Sequence, residues 1–282
     1  MNKISIITAI HNGLPINKIY FEFLKKYTHY PFELIIIDNL STDGSREFFE
    51  AQGAVVIANK VNSSYPVSQN QGIEVATCEY LFFLNNDIIV CPNWDKILID
   101  AAQKHSLDVL TASGIENMGN LKDTRAISKR WKRIKMVLLP FGIKEYILRA
   151  MFKIMYGNWE KYCSKLFDKN QYNVVEGIVG DNVMITKNGI NKIGLWDETQ
   201  QGADFDLFMR AKHRSITHKD IKPCHIVLGA YIHHFGKMTL KYGKRKPVPF
   251  ADNKKLIALS DKWTEQQIEA LHPNNATLRL KK

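Results

Sequence analysis

The chain has 282 residues, 45% apolar and 24% charged, a balance that excludes a disordered or fibrous protein and allows a large core. Its 39 Lys and Arg against 28 Asp and Glu give a formal net charge of +11. Residues 1–121 hold 8 basic and 13 acidic side chains, residues 122–169 hold 13 and 4, and residues 170–282 hold 18 and 11, so the basic surplus starts only after an acidic N-terminal third.

Ile4–Ile10 is a short apolar run closed by His11-Asn12-Gly13, which predicts a buried strand and a loop. It lacks a small-residue cleavage site, so it is not read as a signal peptide. Ile16, Ile19, Tyr20, Phe23, Leu24 and Tyr27 share one helical face over residues 15–28. Phe32–Ile37 predicts a second strand, closing on Asp38-Asn39. The turn Ser41–Ser45 can cap a helix at Arg46–Gln52. Ala54–Ala58 reads as a strand, residues 65–76 as a helix, and Tyr80–Leu84 as a strand ending at Asn85-Asn86-Asp87. Strands alternating with helices predict a parallel sheet, and ligands of such sheets bind beyond the carboxyl ends of the strands. Residues 114–120 read as loop, and 144–169 as an aromatic-rich helical stretch. Two short strands are expected around Gly177 and Gly180, then a helix at Asp204–His213, a strand at Pro223–Gly229 and a helix at 264–271.

Cys78, Cys91, Cys163 and Cys224 have neither C-x-x-C nor zinc-finger spacing, which fits buried thiols in a reducing compartment. No stretch reaches the ~18 apolar residues of a membrane span. The expectation is a soluble, cytoplasmic protein, with the inner face of a membrane as a possible resting surface.

Several residues can carry chemistry. Asp87, at a strand end, suits a hard cation such as Mg²⁺ or Mn²⁺; Asn-Asn-Asp also simply forms a turn. Asp38 can accept hydrogen bonds from a base or ribose, or can hold a turn. Asp206 and Arg210 have i,i+4 spacing, which leaves Asp204 as a candidate general base; both carboxylates also favour a helix N-terminus. Of the adjacent His233 and His234, alternation lets one at most face a site. Lys237, Lys241, Lys244, Arg245 and Lys246 can neutralise phosphates, or belong to a solvated loop. P-loop, G-x-G-x-x-G and G-x-S-x-G signatures are all missing.

Taken in order, these elements resemble the family-2 glycosyltransferases. The resemblance rests on Thr8-Ala9-Ile10-His11-Asn12, Leu34 to Ser45 with Asp38, Asn70-Gln71-Gly72-Ile73, and Leu84-Asn85-Asn86-Asp87. It continues through Gly194-Leu195-Trp196-Asp197-Glu198, Ala203 to Leu207 with Arg210, and His234-Phe235-Gly236 with Thr239, covering residues 3 to about 240.

The resemblance implies a GT-A fold: a mixed, mostly parallel sheet flanked by helices. It implies one domain over residues 1–240, with a nucleotide-sugar half (1–113) and an acceptor half (114–240) that includes a basic helical insertion at 122–169. Residues 241–282 would be a basic extension. It implies inverting transfer from a nucleoside-diphosphate sugar to a glycan or lipid-linked hydroxyl, in surface polysaccharide or glycoconjugate assembly. Asp204 would be the base, and Asp87 and His234 would hold Mn²⁺ or Mg²⁺. Thr8, Ile10, Asn12, Asp38, Asn70, Asn85 and Asn86 would line the nucleotide-sugar pocket. Trp196, Asp206 and Arg210 would contact the acceptor or support the site.

Two positions depart from the family pattern: Asn85 replaces the first Asp of the metal motif, and Ala203 replaces the Glu before the base. The 122–169 insertion interleaves its cations with Trp131, Phe141, Tyr146, Phe152, Tyr156 and Trp159. It is expected to form an acceptor lobe against an anionic membrane or a lipid-diphosphate acceptor; a solvated insertion has the same composition. The alternatives are a sugar-nucleotide nucleotidyltransferase, a non-catalytic glycan binder and a nucleic-acid binder; nucleic acid is not the expected partner, because the N-terminal third is acidic.

Overall fold

The computed structural model describes residues 3–236 and 248–271. β1 (Ile4–Ile10), β2 (Phe32–Asn39), β3 (Val55–Asn59) and β4 (Tyr80–Leu84) alternate with α1 (Leu14–Tyr27), α2 (Ser45–Ala51) and α3 (Tyr65–Val75). These four strands are parallel, in the order β3-β2-β1-β4. β5 (Ile88–Val90), α4 (Trp94–His105) and β6 (Val109–Gly114) follow. The insertion contains α5 (Leu121–Leu138), a 3-10 turn at Leu139–Phe141, α6 (Glu145–Tyr156) and α7 (Trp159–Asn170). The chain then forms β7 (Val174–Glu176), β8 (Asn182–Thr186), α8 (Lys187–Ile193), α9 (Ala203–Thr217) and β9 (His225–His234). Two short helices, α10 (Leu259–Lys262) and α11 (Glu265–Leu271), lie beyond residue 248.

All these strands join one sheet. Past β4 its order is β8-β6-β9-β5, with β7 also on β9. β8 is antiparallel to both β4 and β6. Its first residue therefore lies where the parallel strands end, and this reversal builds the site.

Strand alternation divides the interior into two layers. Ile4, Ile6, Ile10, Leu34, Ile36, Phe82 and Leu84 face the layer of α1 and α4. Ile7, Ile35, Ile37, Leu81 and Phe83 face the other side, where α3 closes on Ile7 at Gly72 and α9 adds Leu207 and Phe208 to the same core.

The predicted helical stretch at 144–169 is two helices, broken at Gly157, whose φ of +66° a non-glycine residue rarely adopts. Trp131, Phe152, Tyr156 and Trp159 do not decorate the surface. Their rings pack with Tyr231, His233 and Phe235 over β9. Only Phe141 and Tyr146 of the six interleaved aromatics are exposed. The predicted strand at Pro223–Gly229 starts at His225 and runs on to His234, because its second half pairs with β5.

Candidate active site

The loops after β1 and β2 are tied to each other. Ser41 Oγ accepts from Asn12 N at 2.8 Å, and Asn12 Oδ1 accepts from Thr42 N at 2.8 Å. Asp43 Oδ2 accepts from Gly13 N and Leu14 N at 2.7 and 2.9 Å, so one carboxylate holds the start of α1. Its other oxygen accepts from the Ser45 hydroxyl at 2.6 Å. Burial alone raises the Asp43 carboxyl, but the Ser45 hydroxyl and the Leu14 and Gly13 amides hold it below the ordinary carboxylate range.

An acidic cluster lies at the same edge of the sheet. Asp87 connects β4 to β5, Glu116 follows β6, Asp181 precedes β8 and His234 ends β9. His234 Nε2 is 3.0 Å from Asp87 Oδ1, and its Nδ1 is 2.8 Å from Glu116 Oε1 and 3.0 Å from Asp181 Oδ2. Burial alone lowers the His234 pKa, but the charges of Asp87, Asp181 and Glu116 overcome this and hold it well above its usual value. Desolvation where it meets the cluster, then the Asp181 charge, raises the Glu116 carboxyl, whose side chain is 45% exposed.

Ligand atoms of Glu116, Asp181 and His234 all lie within 4.8 Å of one another. Carboxylate oxygens with one imidazole suit a divalent cation, so the donor set fits a metal ion.

Asp204 lies beside this cluster in a cleft of about 300 Å³, lined also by Tyr65, Asn85, Glu116, Gly180, Asp181 and His234. It sits in the first turn of α9. Burial, with a smaller part from the Asp181 charge, raises its pKa. The Tyr65 hydroxyl is buried and has no hydrogen-bond partner among the described residues. Such a group near two carboxylates suits a hydroxyl-bearing ligand in the cleft.

The structure brings Asp87 against His234 and sets His234, Asp204 and Asn85 around one cleft. Asp38 stands at the end of β2, opposite Ile10, with Oδ1 accepting from Ser41 N at 3.1 Å.

The other residues expected at the nucleotide make contacts within the protein. Strand alternation turns Thr8 and Ile10 toward α1, where the Thr8 hydroxyl meets Tyr20 OH at 2.6 Å. Asn12 uses its side-chain oxygen to join the two loops. Asn86 is buried, and its amide donates to Asn17 Oδ1 at 2.7 Å rather than facing the cleft. Asn70 braces another segment: Nδ2 donates to the Trp196 carbonyl at 2.9 Å and Glu198 Oε1 at 3.0 Å, while Oδ1 accepts from Trp196 N at 3.0 Å.

Trp196, Asp206 and Arg210 are supports. Trp196 is buried between Tyr65 and Phe83. The fully buried Asp206 accepts from Arg210 Nε at 2.7 Å and from Trp263 Nε1 at 2.9 Å. Of the two histidines, His233 faces inward. Its Nδ1 meets Tyr156 OH at 2.8 Å, and burial, followed by the His234 charge, pushes its pKa well down. Thr239 and the lysines and arginine between 237 and 246 lie outside the described residues.

Sequence reading misses Glu116 and Asp181. Each is a lone carboxylate next to an apolar strand, and only the antiparallel placement of β8 between β4 and β6 brings them together.

The chain belongs to glycosyl transferase family 2, whose model matches residues 5–193. The sheet and its flanking helices form the GT-A glycosyltransferase fold. Among its relatives is the uncharacterized glycosyltransferase YibD of Escherichia coli (strain K12), 34% identical over 112 residues. That match spans 38% of this chain and only 33% of YibD. Among solved structures, that of S. aureus TarS 1-349 aligns with a TM-score of 0.50 at 14% identity, covering 81% of this chain and 60% of the other. At that identity the likeness concerns the fold alone. No helix among the described residues is long and apolar enough to cross a membrane.

Proposed function

We propose that this protein transfers a sugar, with inversion, from a nucleoside-diphosphate sugar to a hydroxyl of a glycan or lipid-linked acceptor. The observation that carries this reading is the shared cleft: Asp204 and the carboxylate–imidazole cluster line one cavity at the ends of the parallel strands.

The acceptor oxygen attacks the anomeric carbon and passes its proton to Asp204. The bond from that carbon to the diphosphate oxygen breaks, and nucleoside diphosphate leaves with the bonding pair. A carboxylate with a raised pKa suits this proton transfer. Asp87, Glu116, Asp181 and His234 would hold Mn²⁺ or Mg²⁺, which when bound supplies positive charge for the diphosphate. Glu116 and Asp181 offset the carboxylate that Asn85 lacks. Asp38, at the end of β2, would accept from the nucleoside.

A donor screen with Mn²⁺ or Mg²⁺, reading release of nucleoside diphosphate, tests the reading. One donor is expected to react, with product of inverted configuration, and Asp204→Asn is expected to stop transfer. No turnover of any nucleotide sugar overturns the reaction; full activity of Asp204→Asn overturns the role of that residue.

A further inference from the structure

The insertion builds a surface that the transfer reaction does not explain. α5 and α6 form a helical hairpin, with Arg130 at one side donating to the Ile154 carbonyl at 3.1 Å. Four large apolar residues crowd its turn and stand in solvent: Met136 at 65%, Val137 at 65%, Phe141 at 70% and Tyr146 at 66% exposure. The α5 helix buries Thr124, Trp131 and Ile134. Its opposite face carries Lys122, Arg125, Lys129, Arg130, Lys132 and Arg133, all exposed. None of these six forms an ion pair among the described residues.

The acidic residues nearby are used elsewhere. Glu145 pairs with Arg149 at 2.8 Å, and Glu160 pairs with Lys26 at 3.0 Å. Asp123 is held in the cap of α5 by Asn120. Beside the apolar tip lies an open groove of about 410 Å³, lined by Lys132, Lys135, Met136, Leu139 and Pro140.

We propose that the tip of the α5–α6 hairpin docks this protein onto an anionic lipid surface, with Met136, Val137 and Phe141 entering the headgroup layer and the α5 cations facing lipid phosphates. Charge complementarity selects this occupant. A helix face with six cations that form no ion pair among the described residues repels a second copy of itself, and exposed apolar side chains next to such a face are what an interfacial helix presents to a bilayer. The packing of Trp131, Phe152, Tyr156 and Trp159 against one another and against β9 disfavours nucleic acid, which would use them for stacking. The surface also lies next to the site: Lys135 Nζ donates to the carbonyl of Phe235, the neighbour of His234, at 3.3 Å. Docking there would hold the cleft near a lipid-linked acceptor.

The test is sedimentation of the full chain with vesicles of phosphatidylglycerol and phosphatidylcholine in equal parts, against vesicles of phosphatidylcholine alone. No donor or acceptor is present, so the outcome is independent of the proposed reaction. Binding is expected on the anionic vesicles only and should weaken as salt rises. Two double variants, Met136→Ser with Phe141→Ser and Lys129→Glu with Arg133→Glu, should each lower it by roughly tenfold or more. Both change exposed side chains only, and circular dichroism verifies their fold. Equal binding to both vesicles, no binding, or undiminished binding of either variant overturns the proposal. Binding of single-stranded RNA that matches the vesicle affinity and survives the serine changes overturns it in favour of nucleic acid.

Discussion

Gly180 and Asp204 are in direct apposition: a Cβ on Gly180 would lie 1.9 Å from Asp204 Oδ2 and 3.0 Å from Asp204 Cβ. The strand that begins after Gly180 and the helix that begins around Asp204 are thus locked against each other where the chemistry is placed. Gly180→Ala should push the carboxylate out of position while leaving the sheet pairing alone. We expect kcat to fall by roughly 10²-fold, the scale of a displacement of about 1 Å, with the melting temperature little changed. Steady-state kinetics beside a thermal melt checks this; unchanged kcat removes Asp204 from the reacting atoms.

The raised pKa of Asp204 links activity to stability. The folded chain retains this proton at pH values where the unfolded chain has lost it. The associated stability is fully present below the unfolded pKa and declines as pH rises toward the folded one. At neutral pH the partly desolvated charge therefore opposes folding. Asp204→Asn should abolish transfer yet melt at a higher temperature than the parent near pH 7, with the difference vanishing near pH 4 or below. In the parent, kcat/KM should rise with pH along a limb above the ordinary carboxylate range. A lower melting temperature for the variant at neutral pH would falsify this account.

Cation binding should depend on residues far apart in the chain. Loss of an outer partner of a metal ligand already costs about 10–100-fold in affinity, so Asp181→Asn or Glu116→Gln should weaken Mn²⁺ binding by at least that much. Calorimetry or the spin-resonance signal of Mn²⁺ reads this without turnover. Asn85→Asp, which restores the family carboxylate, should tighten binding. If chelation leaves activity intact, the imidazolium of His234 meets the charge by itself.

Asn70 gives a structural prediction. Its amide satisfies the buried N–H and carbonyl of Trp196. Asn70→Ala leaves both unpaired and should cost about 1–3 kcal/mol by urea unfolding. Because Trp196 packs on Tyr65, activity should also fall. A stability loss with no change in KM or kcat would show that the Trp196 segment is independent of the cleft.

The sequence by itself determined the parallel half-sheet and the loops at its carboxyl edge, and it singled out Asp87, Asp204 and His234 as candidates. Periodicity in short apolar runs and turn residues at their ends are local signals, so they survive without coordinates. The Asp206–Arg210 pair was legible for the same reason, since helix spacing alone brings i and i+4 together. Only the tertiary structure decided that Glu116 and Asp181 join the cluster, because strand order is set by which faces can be buried, not by proximity in the chain. It also showed which way each side chain turns. Strand alternation sends Thr8 and Ile10 inward and separates His233 from His234, while the non-local contacts of Asn70 and Asn86 take up polar groups that a linear reading assigns to the ligand. The charge surplus follows the same division. Its position at 122–169 was visible in composition, but its arrangement was not. Packing over β9 takes up Trp131, Phe152, Tyr156 and Trp159 and leaves Phe141 and Tyr146 at the hairpin tip, near the exposed cations of α5.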